Sequence, residues 1–154
     1  MATMQIILCR RKLLRGGVAA LVLLGLPRFL LAGAWPKAAF AATTASEALV
    51  NLLGTDQTTT SDQILLSAPM VAEDGTIVPI SVETSLQEVQ SISIVVLNNP
   101  RPLAVSFEIP AGTLPEISCR IKMAETSAVM AVVQTGAGIF STLTHVKVTL
   151  GGCA

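Results

Sequence analysis

From Ile64 to Leu150 the chain alternates apolar and polar residues at period two, in short runs broken by turn residues. Nothing after residue 54 repeats with the 3.6-residue period of an amphipathic helix of useful length. Such a pattern admits strands with one buried face and excludes a helical bundle or a βαβ fold. The runs fall at residues 64–71, 77–84, 91–97, 103–109, 117–123, 128–135 and 139–150. Val78, Ile80 and Val82 share one face of the second run, and Ile117, Cys119, Ile121 and Met123 share one face of the fifth. The run at 128–135 is nearly all apolar and belongs in the middle of a sheet. Pro79 has no N–H for a ladder, which points its strand to an edge or a bulge. Glu73-Asp74-Gly75-Thr76 reads as a hairpin turn, because Asp-Gly accepts the positive φ that such turns need. Seven short strands so spaced predict an all-β, immunoglobulin-like antiparallel β-sandwich.

A short helix opens this domain, which spans residues 42–150. Thr44-Ala45-Ser46-Glu47 fits a capping box, residues 48–53 supply the helix, and Gly54 suits its C-terminal cap. The strand after Ala128 and parts of its neighbours carry little charge, so one sheet face is expected to bury against a partner chain.

The charges are unevenly placed. Arg10, Arg11, Lys12, Arg15, Arg28 and Lys37 precede residue 42, and no acidic residue does. The part after Ala41 has four bases and ten acids, a net charge of −6. That balance argues against nucleic acid or an anionic membrane surface as its partner. Residues 1–41 have a basic start, an apolar run at 18–26 and the small-x-small pattern Ala39-Phe40-Ala41, which together read as a cleaved export signal. Arg10-Arg11, one further residue and then Leu13-Leu14 resemble the twin-arginine export motif, and a Sec signal with incidental arginines is the alternative. That route carries folded proteins, and it predicts a periplasmic location. Arg28 and Lys37 interrupt the apolar part too often for a membrane span of about 20 residues.

The residues offer little ordinary catalytic chemistry after the signal. His145 is the chain's one histidine, and a zinc or copper centre usually needs more imidazoles or thiolates than remain here. No metal and no cofactor is therefore expected. Met70, Met123 and Met130 are read as apolar packing. Gly136-Ala137-Gly138 reads as a turn, since a phosphate cradle needs a strand before it and a helix after it.

Three cysteines occur, and Cys9 leaves with the signal. Cys119 falls on an apolar strand face and is read as a small buried hydrophobe; a disulfide to Cys153 is the alternative in an oxidising compartment. Cys153 stands one residue from the C-terminus, behind Gly151 and Gly152. Glycines sample both signs of φ, so residues 151–154 read as a flexible arm with a thiol near its tip. An unassisted thiol of ordinary pKa is only a few per cent thiolate at neutral pH. It makes a poor enzyme nucleophile and a good passenger site, carried into the pockets of other enzymes.

"CRIKMAETSAVMAVVQT", "HVKVTLGGCA", "DGTIVPISVE" and the Asn-Pro-Arg-Pro-Leu-Ala turn resemble the SoxY family, the sulfur-carrier subunits of the periplasmic thiosulfate-oxidising Sox system. The resemblance implies an immunoglobulin-like fold and a non-catalytic carrier whose cargo is bound covalently at Cys153, with Gly151 and Gly152 as the hinge. It implies SoxZ as heterodimer partner, travelling on this chain's export signal. It further implies a SoxXA-type cytochrome that joins thiosulfate to the cysteine, a SoxB-type hydrolase that releases sulfate, and a SoxCD-type sulfur dehydrogenase for the remaining sulfane. One departure is expected to matter. The family usually ends Gly-Gly-Cys-Gly-Gly, and this chain ends Gly-Gly-Cys-Ala, so the α-carboxylate of Ala154 lies near the sulfur and disfavours a thiolate. The residues without the resemblance leave two other readings. One is a periplasmic β-sandwich assembly or chaperone-type protein with an idle tail. The other is a thiol oxidoreductase, weakened by the lack of Cys-x-x-Cys.

Overall fold

The computed structural model describes residues 35–150. The chain divides into Met1–Trp35 and Pro36–Ala154, and every element named below belongs to the second unit. Two helices come first, α1 (Lys37–Ala41) and α2 (Ala45–Leu53). Nine strands follow: β1 (Thr59–Thr60), β2 (Ile64–Ser67), β3 (Val71–Asp74), β4 (Val78–Thr84), β5 (Val89–Val96), β6 (Leu103–Glu108), β7 (Glu116–Ile121), β8 (Ser127–Thr135) and β9 (Gly138–Leu150).

Helix α2 starts where its sequence says it should. Thr44 is extended, and its hydroxyl accepts the N–H of Glu47 at 3.2 Å. The expected box closes one residue early, because the Glu47 carboxylate accepts the N–H of Thr43 rather than that of Thr44. Gly54 ends the helix at φ 81° and donates to the Val50 carbonyl at 2.9 Å. A Cβ on Gly54 would meet nothing within 4 Å, so the left-handed backbone, not crowding, is what calls for glycine.

The strands make two sheets, one ordered β1-β9-β8-β5-β6 with β3 also on β9, the other ordered β2-β4-β7. Period-two alternation fills the space between them. Val78, Ile80 and Val82 of β4 share a core with Ile92, Ile94 and Val96 of β5 and with Val129, Ala131 and Val133 of β8. Each Val or Ile among them contributes about 1.5–3 kcal/mol when fully buried. The apolar run of β8 lies between β9 and β5, the central place expected of it.

The sandwich differs from the expectation in four places. Residues 64–71 do not form one strand. The chain breaks around Ala68-Pro69, and β3 crosses to the larger sheet, where it runs parallel to β9, as β1 does. The sandwich therefore has nine strands among the described residues, and it is not wholly antiparallel. Asp74-Gly75 is consequently a corner between the sheets and not a hairpin. Gly75 is not among the positive-φ residues. Instead the Asp74 carboxylate accepts the Thr76 N–H at 2.7 Å, a side chain closing the turn in place of special backbone.

Pro79 lies on the middle strand of the smaller sheet, not on an edge. It is tolerated because β2 pairs with β4 only from Ser81 to Thr84, so β4 has one unpaired flank at Pro79. Part of the outer face of the larger sheet is covered by the chain's own helices. Ala39, Ala42, Ala48 and Leu49 pack there on Val95, Leu103 and Val132 in a second core. Finally, Met123 and Met130 pack as expected, but Met70 is 85% exposed.

Candidate functional site at the end of β9

Cys153, Gly151, Gly152, Arg10 and Arg11 all lie outside the described residues. What the structure describes is the joint that leads to the first three. Strand β9 pairs antiparallel with β8 from Gly138 to Val146 and then runs past the end of β8. Its last residues are taken over by β3, with Val71 opposite Lys147, Ala72 opposite Val148 and Asp74 opposite Leu150.

A chain end normally frays for want of backbone partners. Here the partners continue to the last described residue. The Lys147 N–H donates to the Met70 carbonyl at 3.0 Å, and the Thr149 hydroxyl donates to the Glu73 carbonyl at 3.0 Å. From the other side, the Thr126 hydroxyl accepts the Val148 N–H at 3.0 Å. The N–H of Gly75 donates to the Leu150 carbonyl at 2.9 Å, and the Gly75 carbonyl accepts the Met123 N–H at 2.7 Å. Gly75 thus ties the end of β9 to the segment just after β7, across the two sheets. Cys153 follows Leu150 by three residues, which span at most about 10 Å.

The joint has an apolar rim and an acidic corner. Met70, Val71, Ile77 and Leu150 are exposed large hydrophobics on the segments that build it. The Asp74 carboxyl is held below its usual range, first by the Thr76 backbone N–H and then by the Thr76 side chain. None of Gly75, Thr126, Thr149 or Met70 was marked as part of the site by sequence. Thr126 meets Val148, 22 residues away, and the roles of the other three depend on the β3–β9 pairing, which joins residues more than 70 apart and leaves no local signal.

Other chemistry-bearing residues lie elsewhere. His145 is exposed on β9 opposite Ala128. Among the described residues, no group of three or more His, Cys, Asp or Glu side chains could hold a metal ion. No described helix is long and apolar enough to cross a membrane. Cys119 packs against the core but is half-buried, not buried, because β7 is an edge strand. Burial pushes its thiol up from the ordinary value. A groove of about 290 Å³ is lined by residues 84–89, 110–113 and Pro115. It adjoins the other end of β9, since the Glu88 carbonyl accepts the Gly136 N–H there. Thirteen residues of strand span roughly 40 Å, far beyond the reach of three residues past Leu150.

A protein-family model described as "Sulfur oxidation protein SoxY" matches residues 49–153. The match runs through the joint and includes Cys153. Among solved structures, the sulfur carrier protein SoxY from Chlorobium limicola f thiosulfatophilum is 34% identical, with a TM-score of 0.63, over 73% of this chain and 96% of that one. An engineered protein is 17% identical with a TM-score of 0.40, over 57% of this chain and 20% of that one. A chain in a structure of T cell specificity and activation by the bacterial superantigen toxic shock syndrome toxin-1 is 13% identical with a TM-score of 0.36, over 55% of this chain and 98% of that one. Neither of these two weaker likenesses bears on fold or function. No curated protein matches the chain. With a family match over residues 49–153 and a one-third-identical relative covered almost end to end, the chain belongs to the SoxY family.

Proposed function

We propose that this protein is a non-catalytic carrier of sulfur intermediates in thiosulfate oxidation, with the cargo bound covalently at Cys153 on a mobile arm of residues 151–154. The observation that carries the reading is the joint. Strand β9 is hydrogen-bonded up to Leu150, and only Gly151 and Gly152 then separate it from the thiol. A fixed base, two residues without side chains and a terminal thiol make a short tether that enters a narrow pocket.

The cycle is that of the family. Oxidative joining makes one S–S bond: Cys–S⁻ and S₂O₃²⁻ give Cys–S–SSO₃⁻, and two electrons pass to a SoxXA-type cytochrome. Hydrolysis by a SoxB-type enzyme adds water and breaks the bond to the sulfonate. It yields the persulfide anion, sulfate and two protons. A SoxCD-type dehydrogenase oxidises the remaining sulfane: Cys–S–S⁻ and three waters give Cys–S–SO₃⁻ and six protons, and six electrons pass to the dehydrogenase. SoxZ is the heterodimer partner. The twin-arginine pattern at Arg10-Arg11 supports export of the folded pair to the periplasm.

Intact mass of protein recovered from cells given thiosulfate tests the reading. Sulfur adducts on the wild type, and none on Cys153→Ser, are expected. Full thiosulfate oxidation by Cys153→Ser cells with no second carrier would overturn it.

A further inference from the structure

We infer that the export signal is removed ahead of Trp35, by hydrolysis of the Ala34–Trp35 peptide bond, and that helix α1 remains part of the mature domain. The inference rests on the export reading above. Spacing alone favours a cut after Ala41, where Ala39 and Ala41 are the small residues. The fold argues against it. Ala39 is 1% exposed and Ala42, the residue after that cut, is 2% exposed. Both pack in the second core with Leu49, Val95, Leu103 and Val132. The intervening residues are helical in α1, and the Phe40 N–H donates to the Pro36 carbonyl at 3.3 Å.

A peptidase needs its substrate segment exposed and extended, and nicking concentrates in exposed, loosely held chain. Twin-arginine substrates reach the peptidase already folded. The bond after Ala41 is then presented at the last residue of helix α1, with Ala39 and Ala42 buried, and cutting it would sever α1 from the sheet it covers. The bond after Ala34 precedes α1 in the chain, and Ala34 itself lies outside the described residues. Ala32-Gly33-Ala34 repeats the small-x-small pattern. Trp35, which would follow the cut, is 65% exposed, and the unit that holds every described helix and strand begins at Pro36. Water adds across the bond, leaving a carboxylate on Ala34 and an amine on Trp35. The agent is a signal peptidase, an endopeptidase that requires small residues at the first and third positions before the cut.

The test is N-terminal sequencing and intact mass of protein recovered from the periplasm of cells producing the full chain. Wild type is expected to begin at Trp35. Ala34→Leu should accumulate as uncut precursor, and Ala41→Leu, at an exposed position, should be cut like wild type. A chain beginning at Ala42, or at any residue other than Trp35, overturns the inference and leaves export standing. So does a block of cutting by Ala41→Leu alone. Uncut wild type confined to the cytoplasm overturns the export reading instead.

Discussion

The backbone N–H of Gly75 donates to the carbonyl of Leu150 at 2.9 Å, three residues before Cys153. Gly75 closes the corner between β3 and β4, so the base of the thiol's tether is fixed to the point where the chain passes from one sheet to the other. Hydrogen bonds hold β9 up to Leu150, and on the proposed carrier reading they fix the base from which residues 151–154 extend.

Gly75→Pro removes that donor and leaves the Leu150 carbonyl without its partner. A stability loss of about 1–3 kcal/mol is expected, with faster amide exchange at Lys147 and Val148 than in wild type. Urea denaturation and hydrogen exchange read the two effects. Unchanged exchange at the end of β9 would mean that β3 alone holds it. Thr149→Val, which removes the hydroxyl donor to Glu73, should show the same direction at a smaller size.

The corner is also sensitive to acid. The Asp74 carboxyl is held below its ordinary value by the Thr76 N–H. A carboxyl depressed in the folded state adds stability above its unfolded pKa of about 3.9, and loses it as pH falls through the lower folded value. Asp74→Asn should therefore flatten the acid limb of the stability curve below about pH 4. Identical curves for wild type and variant between pH 2 and pH 5 would remove Asp74 from the turn's energetics.

Cys119 gives a prediction of opposite sign. Its thiol is raised by burial, so the folded protein keeps the proton that the unfolded chain gives up first. The resulting stability is complete below the unfolded pKa of about 8.5 and is lost as pH rises through the folded value. Cys119→Ala should lose the alkaline part of the pH dependence of Tm. In the native protein Cys119 should alkylate more slowly than Cys153 at every pH, since it packs against the core beside Ile117 and Ile121. Equal rates would mean that β7 does not shield it.

Much of the sandwich was legible because its signals are local. Thr44 and Gly54 bound a helix whatever lies around them, and the 128–135 run reads as a central strand from its own composition. Pro79 shows the limit. Its missing donor was read correctly as a demand for an unpaired flank, but whether that flank comes from an edge strand or from the end of a short neighbour is decided 12 residues away, where β2 ends at Ser67 opposite Ser81. The pairing of β3 with β9 had no local signal, and with it went the joint. Cys153 lies outside the described residues, and the hydrogen-bonded base ahead of it had no local signal, because Gly75 meets Leu150 only through the tertiary fold.

Helix α1 also escaped a local reading, because Lys37-Ala38-Ala39-Phe40-Ala41 is as good a cleavage pattern as a helix. Comparing a chain that begins at Trp35 with one that begins at Ala42 measures its contribution. Losing Ala39 and Phe40 uncovers part of Val95, Leu103 and Val132, and a cost of about 1–3 kcal/mol is expected. Equal denaturation midpoints for the two chains would show that α2 alone covers this face.

The tether itself is tested by filling it. If the thiol must travel into another enzyme's pocket, Gly151 and Gly152 serve by bending freely and by having no side chain. Gly151→Val combined with Gly152→Val widens the tether and biases it toward extended backbone. Both positions follow Leu150, the last residue of β9 and the last that β3 and Gly75 hold. Tm should therefore stay within about 1–2 °C of wild type, since a change of 1 kcal/mol moves Tm by only about 4–8 °C in a domain of this size. Cys153 should still react with a small soluble alkylating agent at a near-normal rate. Loading with thiosulfate by the cytochrome partner should fall at least about tenfold, the effect of 1.4 kcal/mol in the transition state. The alkylation arm separates a blocked approach from a dead thiol. Equal loading of the double variant and wild type would show that the thiol is used in place, and the swinging tether would have to be abandoned.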